Sequence, residues 1–390
     1  MHEDLAGRPP VPDPARDAWD PGRGDVPPPP PGPAELSRSR TWPAWLAGGI
    51  ALVLVIVLVA AAFIRVPYVI ITPGSATPLD QSVIQVNGTQ TYDHEGKLLF
   101  LTVSVSNRDP NLYRWLFSKF DPDAEVDKRE TVIGCAGYEE SQRLAVDQMD
   151  QSQDTAKAVA LRRLGYTVPD EPSRVQVLDV QCGSPADGRL LLGDVITAVD
   201  GASVNVAGEV APLIQAKAAG DRVVFTVDRG GQRVDVPVKL GERRVEVEPK
   251  QFKRVPYVGI LSQTDVRHRI PVDVRIDTQR VSGPSAGLAF SLAIIDDLTP
   301  GNLTGGRDVA ITGTIQEDGS VGPVGGVTQK VVTARRAGAR LMIVPEDEVK
   351  EARSRAGDMK VAGAATLDDA LRALRAAGGD PIAAPVAVAQ

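Results

Sequence analysis

Ala44 to Ile64 reads AWLAGGIALVLVIVLVAAAFI, 21 residues without a charge, and no other feature restricts the architecture of this chain as much. An α-helix rises 1.5 Å per residue, so a run of this length covers the roughly 30 Å hydrocarbon core of a bilayer. A soluble core helix of this kind would need protein on every side, because the run is apolar all round. Trp42 and Trp45 stand at its start, where interfacial aromatics belong. The run begins more than forty residues in, with only weak cleavage signals around Ile64-Arg65, and so reads as an uncleaved anchor over 42–65. Arg38 and Arg40 precede it and Arg65 alone follows. That bias predicts a single-pass protein of the cell membrane, N-terminus cytoplasmic, with 66–390 on the outer side.

Residues 1–41 are rich in Pro and Gly and include Pro27-Pro28-Pro29-Pro30. Such a composition cannot bury enough apolar surface to offset its ordering entropy, which predicts a disordered cytoplasmic tail. The rest is globular in composition. Lys+Arg 43 against Asp+Glu 50 gives a net charge of −7, with no basic block, and aromatics are only 4%; both argue against a nucleic-acid partner. Three dispersed histidines (His2, His94, His268) and two isolated cysteines without a CxxC show no ligand spacing, so no metal is expected. His268, between Arg267 and Arg269, reads as a surface residue.

Beyond the anchor, the apolar runs Tyr68–Thr72 and Leu98–Val105 read as strands, and Glu139–Leu164 as a helix ending at Gly165. Residues 66–165 are accordingly expected to form an α+β juncture. From Val175 the pattern changes to short strands and turns: SPADGRLLLGDVITAVDG over 184–201, a helix over 211–219, and a hairpin around Gly230-Gly231. The string resembles the PDZ core, in which Ser-Pro-Ala precedes a helix and Gly-Asp-Val-Ile opens a strand, and the resemblance implies a PDZ domain over 166–242. PDZ domains add an extended peptide to a sheet edge. The carboxylate-binding loop should then lie just before Val175, yet 169–174 lacks the glycine-aliphatic-glycine form.

Residues 270–345 hold two further motifs. Gly283-Pro284-Ser285-Ala286-Gly287 lies between the strand-like 272–276 and an apolar helical run, Leu288–Leu298, so Ser285 is expected at a helix N-terminus, beside free amides and a positive dipole end. Gly322-Pro323-Val324-Gly325-Gly326-Val327-Thr328-Gln329-Lys330 turns into a second helix and puts Lys330 on its first turn. Each motif alone is weak, since a serine there is often a helix cap and a lysine is often solvated. Together with Ile311-Thr312-Gly313-Thr314 and Leu341–Pro345 they stand in the order found in Lon proteases, and the chain resembles membrane-anchored, Lon-like PDZ proteases.

This resemblance implies an α+β fold with a Lon-type proteolytic domain (ribosomal protein S5 domain 2-like) over 250–378, followed by a C-terminal tail, 379–390. It implies an endopeptidase with Ser285 as nucleophile, Lys330 as general base and Thr312 supporting the lysine. Serine needs a base, and lysine serves only when desolvation lowers its pKa toward neutrality; Val324, Val327 and Leu288 are expected walls of such a pocket. Where Lon enzymes often carry an acid before GPSAG, Ser282 stands here. No G-x-x-x-x-G-K-[ST] loop occurs, so neither cofactor nor nucleotide is expected, and the substrates would be unfolded or exposed polypeptide segments. Lon rings elsewhere extend the analogy to a homo-oligomer. The alternative is a catalytically silent PDZ/Lon-fold scaffold of the cell envelope. Cys135 and Cys182 either bridge the juncture to the PDZ domain, as an oxidising compartment permits, or stay as two buried thiols.

Overall fold

The computed structural model describes residues 44–382, apart from 136, 172–173, 249–250 and 280. The tail expected over 1–41, Trp42, and residues 383–390 of the expected C-terminal tail lie outside the described residues. Helix α1 (Ala44–Phe63) carries the apolar run, its side chains exposed along nearly all its length, and is a candidate membrane span.

After it come strands β1 (Tyr68–Pro78), β2 (Ile84–Asn87) and β3 (Lys97–Val105), helix α2 (Leu112–Ser118), strand β4 (Glu125–Lys128), helix α3 (Arg129–Val132) and the long helix α4 (Tyr138–Arg163). A β-rich segment follows: β5 (Arg174–Val180), β6 (Val195–Val199), β7 (Ala202–Ser203), helix α5 (Val210–Gln215), β8 (Arg222–Arg229), β9 (Gln232–Lys239), β10 (Gly241–Glu248), β11 (Gln251–Tyr257) and β12 (Ile260–Asp265). The remainder alternates strand and helix: β13 (Asp273–Ile276), α6 (Gly287–Asp297), β14 (Asp308–Ile311), β15 (Thr314–Ile315), β16 (Val321–Gly322), α7 (Val327–Arg336), β17 (Leu341–Pro345), α8 (Val349–Arg355), β18 (Lys360–Ala364) and α9 (Leu367–Ala376).

The sequence reading separates 66–165 from the C-terminal domain, whereas the structure joins them. One sheet runs β18-β17-β14-β3-β1-β4, with β3, β14, β17 and β18 parallel and β1 antiparallel to both of its neighbours. The apolar runs say why. Leu98, Phe100, Val309, Ile311, Leu341 and Ile343 face α4, α6 and α9, while Leu99, Leu101, Ala310, Met342 and Val344 face α7 and α8. A sheet buried on both faces selects continuous apolar strands, and such a strand does not announce which partner it pairs with.

The second sheet runs β12-β5-β6-β8-β9, with β7 beside β6. Its edge strand β12 therefore comes from beyond the expected limit of 242. The turn before it, Tyr257-Val258-Gly259-Ile260, packs on the Ser-Pro-Ala turn: Ala186 N–H donates to Val258 O (3.0 Å), Gln181 N–H to Gly259 O (2.9 Å) and Ser184 Oγ to Gly259 O (3.3 Å). Gly259 sits at φ +85°, and a Cβ there would stand 2.3 Å from that of Ser184, so only glycine fits. A glycine-bearing turn thus precedes β12, whereas 169–174, just before Val175, contains no glycine. Cys135, just before α4, is joined to Cys182, just after β5, with Cα atoms 5.3 Å apart.

His268 is not a surface residue. Its side chain is fully buried, with Nε2 2.8 Å from Glu317 Oε1 and Nδ1 3.1 Å from Asp170 Oδ1, and its backbone N–H donates to Asp154 Oδ2 (3.1 Å). Arg162 of α4 binds both Asp170 and Glu317. An antiparallel bridge, Asp170 to His268, explains the error: side chains alternate across extended backbone, so Arg267 and Arg269 point outward and His268 inward. Burial alone pushes the imidazole pKa down, but Glu317 and Asp154 outweigh it and the net value is raised; hydrogen bonds from His268, Thr155 and Arg162 hold Glu317 down against its own desolvation. A raised imidazole pKa stabilises the fold fully below the unfolded value of 6.5, and that contribution fades as pH rises through the folded value. His268→Gln should therefore lower Tm most near pH 5.5 and progressively less toward pH 8.5, read by thermal melts across that range.

Candidate active site

Three structural elements converge where β14 ends. Ser285 lies directly before Ala286, the N-cap of α6, on one face of the first sheet. Lys330 closes the first turn of α7 on the other face, its N–H donating to Gly326 O (3.0 Å). Thr312 is the residue after β14 and is buried between them. Gly326 starts α7 from the left-handed region (φ +65°), the conformation that lets Gly325-Gly326 turn the chain into the helix at this point.

The three expected site residues meet. Lys330 Nζ lies 2.8 Å from Ser285 Oγ and 3.0 Å from Thr312 Oγ1. Thr312 Oγ1 in turn donates to Ser285 O (3.2 Å), so one hydroxyl orients both the amine and the serine backbone. Gly313 N–H also donates to Ser285 O (3.0 Å). Lys330 is 2% exposed, and this burial brings its pKa down to about 8, with Glu348 pulling the other way. Of the expected pocket walls, Leu288 and Val327 are buried and Val324 half-buried.

The loop around Ser285 is held by α4. Ser152 Oγ donates to Pro284 O (3.0 Å), Gly283 N–H to Ala145 O (2.7 Å), and Gln142 Nε2 to Ser282 Oγ (3.0 Å). Ser282, which stands where Lon enzymes often carry an acid, is thus engaged by a neutral amide. The backbone N–H groups of Ser285 and Ala286 donate to nothing among the described residues. Among those residues no group of His, Cys, Asp or Glu could hold a metal ion.

Glu348 is a charged neighbour of Lys330 that the sequence reading missed. Its Oε1 accepts from Val324 N–H (2.8 Å) in the GPVGG turn, and its buried Oε2 has no hydrogen-bond partner among the described residues. Burial raises its pKa, partly offset by the Val324 bond and by Lys330. In sequence it is the last of an acidic run, Glu346-Asp347-Glu348, which reads as solvated surface; only its place three residues past the buried strand end at Pro345 hints otherwise.

Comparison with known proteins agrees with this geometry. Residues 258–374 match the Lon protease (S16) C-terminal proteolytic domain, and residues 162–240 match the PDZ domain. The C-terminal part of this chain is thus similar to a Lon proteolytic domain. The chain is 30% identical over 150 residues to the Lon protease of Desulforamulus reducens, covering 37% of this chain and 18% of that protein. It is 45% identical over 75 residues to Lon protease 1 of Herpetosiphon aurantiacus, covering 19% and 9%. The PDZ domain of an SdrC-like protein from Listeria innocua is 32% identical, with 23% of this chain and 92% of that chain covered and a TM-score of 0.19. The chain thus spans less than a fifth of the length of these two Lon relatives.

Holding a lysine amine out of water has a thermodynamic consequence. A folded value of about 8 against 10.5 for the free side chain costs about 3 kcal/mol whenever the amine is protonated. Lys330→Met should therefore melt at a higher temperature than the wild type below pH 8, with the gap closing toward pH 10.5. An equal or lower Tm at pH 7 would show that the amine is better solvated than its burial implies.

Proposed function

We propose that this chain is a membrane-anchored, ATP-independent serine endopeptidase in which Ser285 is the nucleophile, Lys330 the general base and Thr312 the residue that positions the lysine. The observation that carries the reading is the 2.8 Å approach of a buried amine, with pKa about 8, to the hydroxyl at a helix N-terminus in a Lon proteolytic domain. Neutral Lys330 accepts the Ser285 proton as Oγ attacks the scissile carbonyl carbon. The oxyanion forms near the start of α6, where the free N–H groups of Ser285 and Ala286 are its candidate donors. Protonated Lys330 then delivers the proton to the leaving amine. Once neutral again, it activates the water that hydrolyses the acyl-enzyme.

The PDZ domain takes part as a peptide reader. Strand β12 is the edge of its sheet, and Val258 and Gly259 before it have N–H groups that donate to nothing among the described residues. A peptide added along β12 can place its terminal carboxylate there. The anchor reading rests on α1, and the outward placement of 66–390 gains support from the Cys135–Cys182 bridge, which belongs to an oxidising compartment. ATP independence is inferred from a sequence without a phosphate-binding loop.

The full chain in detergent or nanodiscs should cleave an unfolded protein at the same rate with and without ATP. Ser285→Ala and Lys330→Arg should each lower turnover at least about a thousandfold, the arginine because its guanidinium stays protonated at any working pH. Retained activity in Lys330→Arg would make the lysine structural. Failure of the wild type to cleave any unfolded chain, with peptide binding intact, would favour the silent scaffold instead. Cleavage should also rise with pH along a limb near pH 8, where Lys330 loses its proton. Glu348 favours the protonated amine, so Glu348→Gln should move that limb to lower pH.

A further inference from the structure

Helix α2 presents an apolar face that no part of the described chain covers. Its inner side packs through Trp115 on Tyr68, with ring centroids 5.5 Å apart, and Lys119 Nζ lies 4.2 Å above the Trp115 ring. On the outer side Leu116 is 45% exposed, Phe117 70% and, one turn on, Phe120 79%. Phe63, at the end of α1, is 79% exposed. Large apolar side chains gathered at one place mark a surface that meets something other than water.

The position of α2 says what that is. Leu112 N–H donates to Ile64 O (2.9 Å), Val66 N–H donates to Pro110 O (3.0 Å), and the Tyr113 hydroxyl donates to the carbonyl of Leu58. Leu58 lies six residues before Ile64, about 9 Å along a helix axis. The apolar run has 21 residues, about 32 Å of helix against roughly 30 Å of hydrocarbon, so there is almost no spare length for Leu58 to stand clear of the bilayer. A group bonded to Leu58 is therefore at the depth of the membrane boundary. Arg114 on α2, Lys119 at its C-terminal cap, and Arg65 between the helices supply the cations that suit headgroup phosphates.

We propose that α2 is a membrane-interface helix, with Leu116, Phe117 and Phe120 embedded in the outer leaflet of the bilayer that α1 crosses. This rests on reading α1 as a membrane span. The protein then holds the membrane at two points, α1 and α2, which fixes the height and tilt of the protease and directs it to polypeptide close to the membrane surface.

The test uses the full chain reconstituted in phosphatidylcholine/phosphatidylglycerol vesicles containing doxyl-labelled lipid. A fluorescent thiol label is placed in turn at Phe117→Cys, Phe120→Cys, Leu54→Cys within the span, and Arg233→Cys on the PDZ sheet. Labels at 117 and 120 should be quenched several-fold more than the label at 233, and the label at 54 should be quenched as well. Quenching at 54 with none beyond the level of 233 at 117 and 120 overturns the interface helix while leaving the anchor intact. No quenching at 54 removes the anchor, and the proposal falls with it. Labels at 117 and 120 shielded from lipid, with oxidation joining Phe120→Cys chains into dimers, would assign the patch to a second copy and also overturn it.

Discussion

The site depends on a single desolvated amine. In the proposed mechanism Lys330 is useful as a base only if water is kept from its Nζ, and keeping water out requires both faces of the sheet to be closed around it. Helix α7 closes one face and α6 the other, and Thr312 at the end of β14 is the contact between them. The parallel strands β3, β14 and β17 are buried on both sides for the same reason, since a sheet with one wet face could not place a serine and a lysine from opposite layers beside each other. Burial that destabilises the protonated lysine is thus the condition for a neutral one near pH 8.

The turns that carry GPSAG and GPVGG were legible in the sequence because their glycines and prolines are local instructions, whereas Ser285, Thr312 and Lys330 were singled out only by the resemblance of the motifs taken together. A strand-to-helix turn can be read from five residues. The support behind the turn could not be. Ala145, Ser152 and Gln142 act on the GPSAG loop from more than 130 positions away, through a helix whose pattern announces only that it is amphipathic. Glu348 was hidden differently, since an acid in an acidic run carries no mark of burial, and its partner is a backbone N–H that any residue possesses.

The expected domain limits lie close to the matched segments but do not show which strands complete each sheet, for a related reason. Strand runs such as Leu98–Val105 were recognisable as strands, but pairing between β3 and β14 joins residues some two hundred positions apart, and nothing local encodes it. The same holds for β12. Its Tyr257-Val258-Gly259-Ile260 turn was visible in the sequence throughout, yet only its packing against Ser184 and Ala186 assigns it to the PDZ sheet. His268 belongs in this group too: two flanking arginines outweighed the alternation that turns the middle residue inward.

The PDZ-like sheet is spliced into the Lon-like part of the chain rather than appended to it. The chain leaves the Lon-like part at the end of α4 and re-enters at β13, so two covalent crossings join the two parts, and the Cys135–Cys182 bridge adds a third. A body hung by one tether can swivel freely. A body hung by three has fewer ways to move against its support than one hung by a single tether. Between β12 and the Ser285 loop the chain is itself paired into the fold, through β13 on β2, so a displacement of that sheet edge meets structured backbone rather than a slack linker.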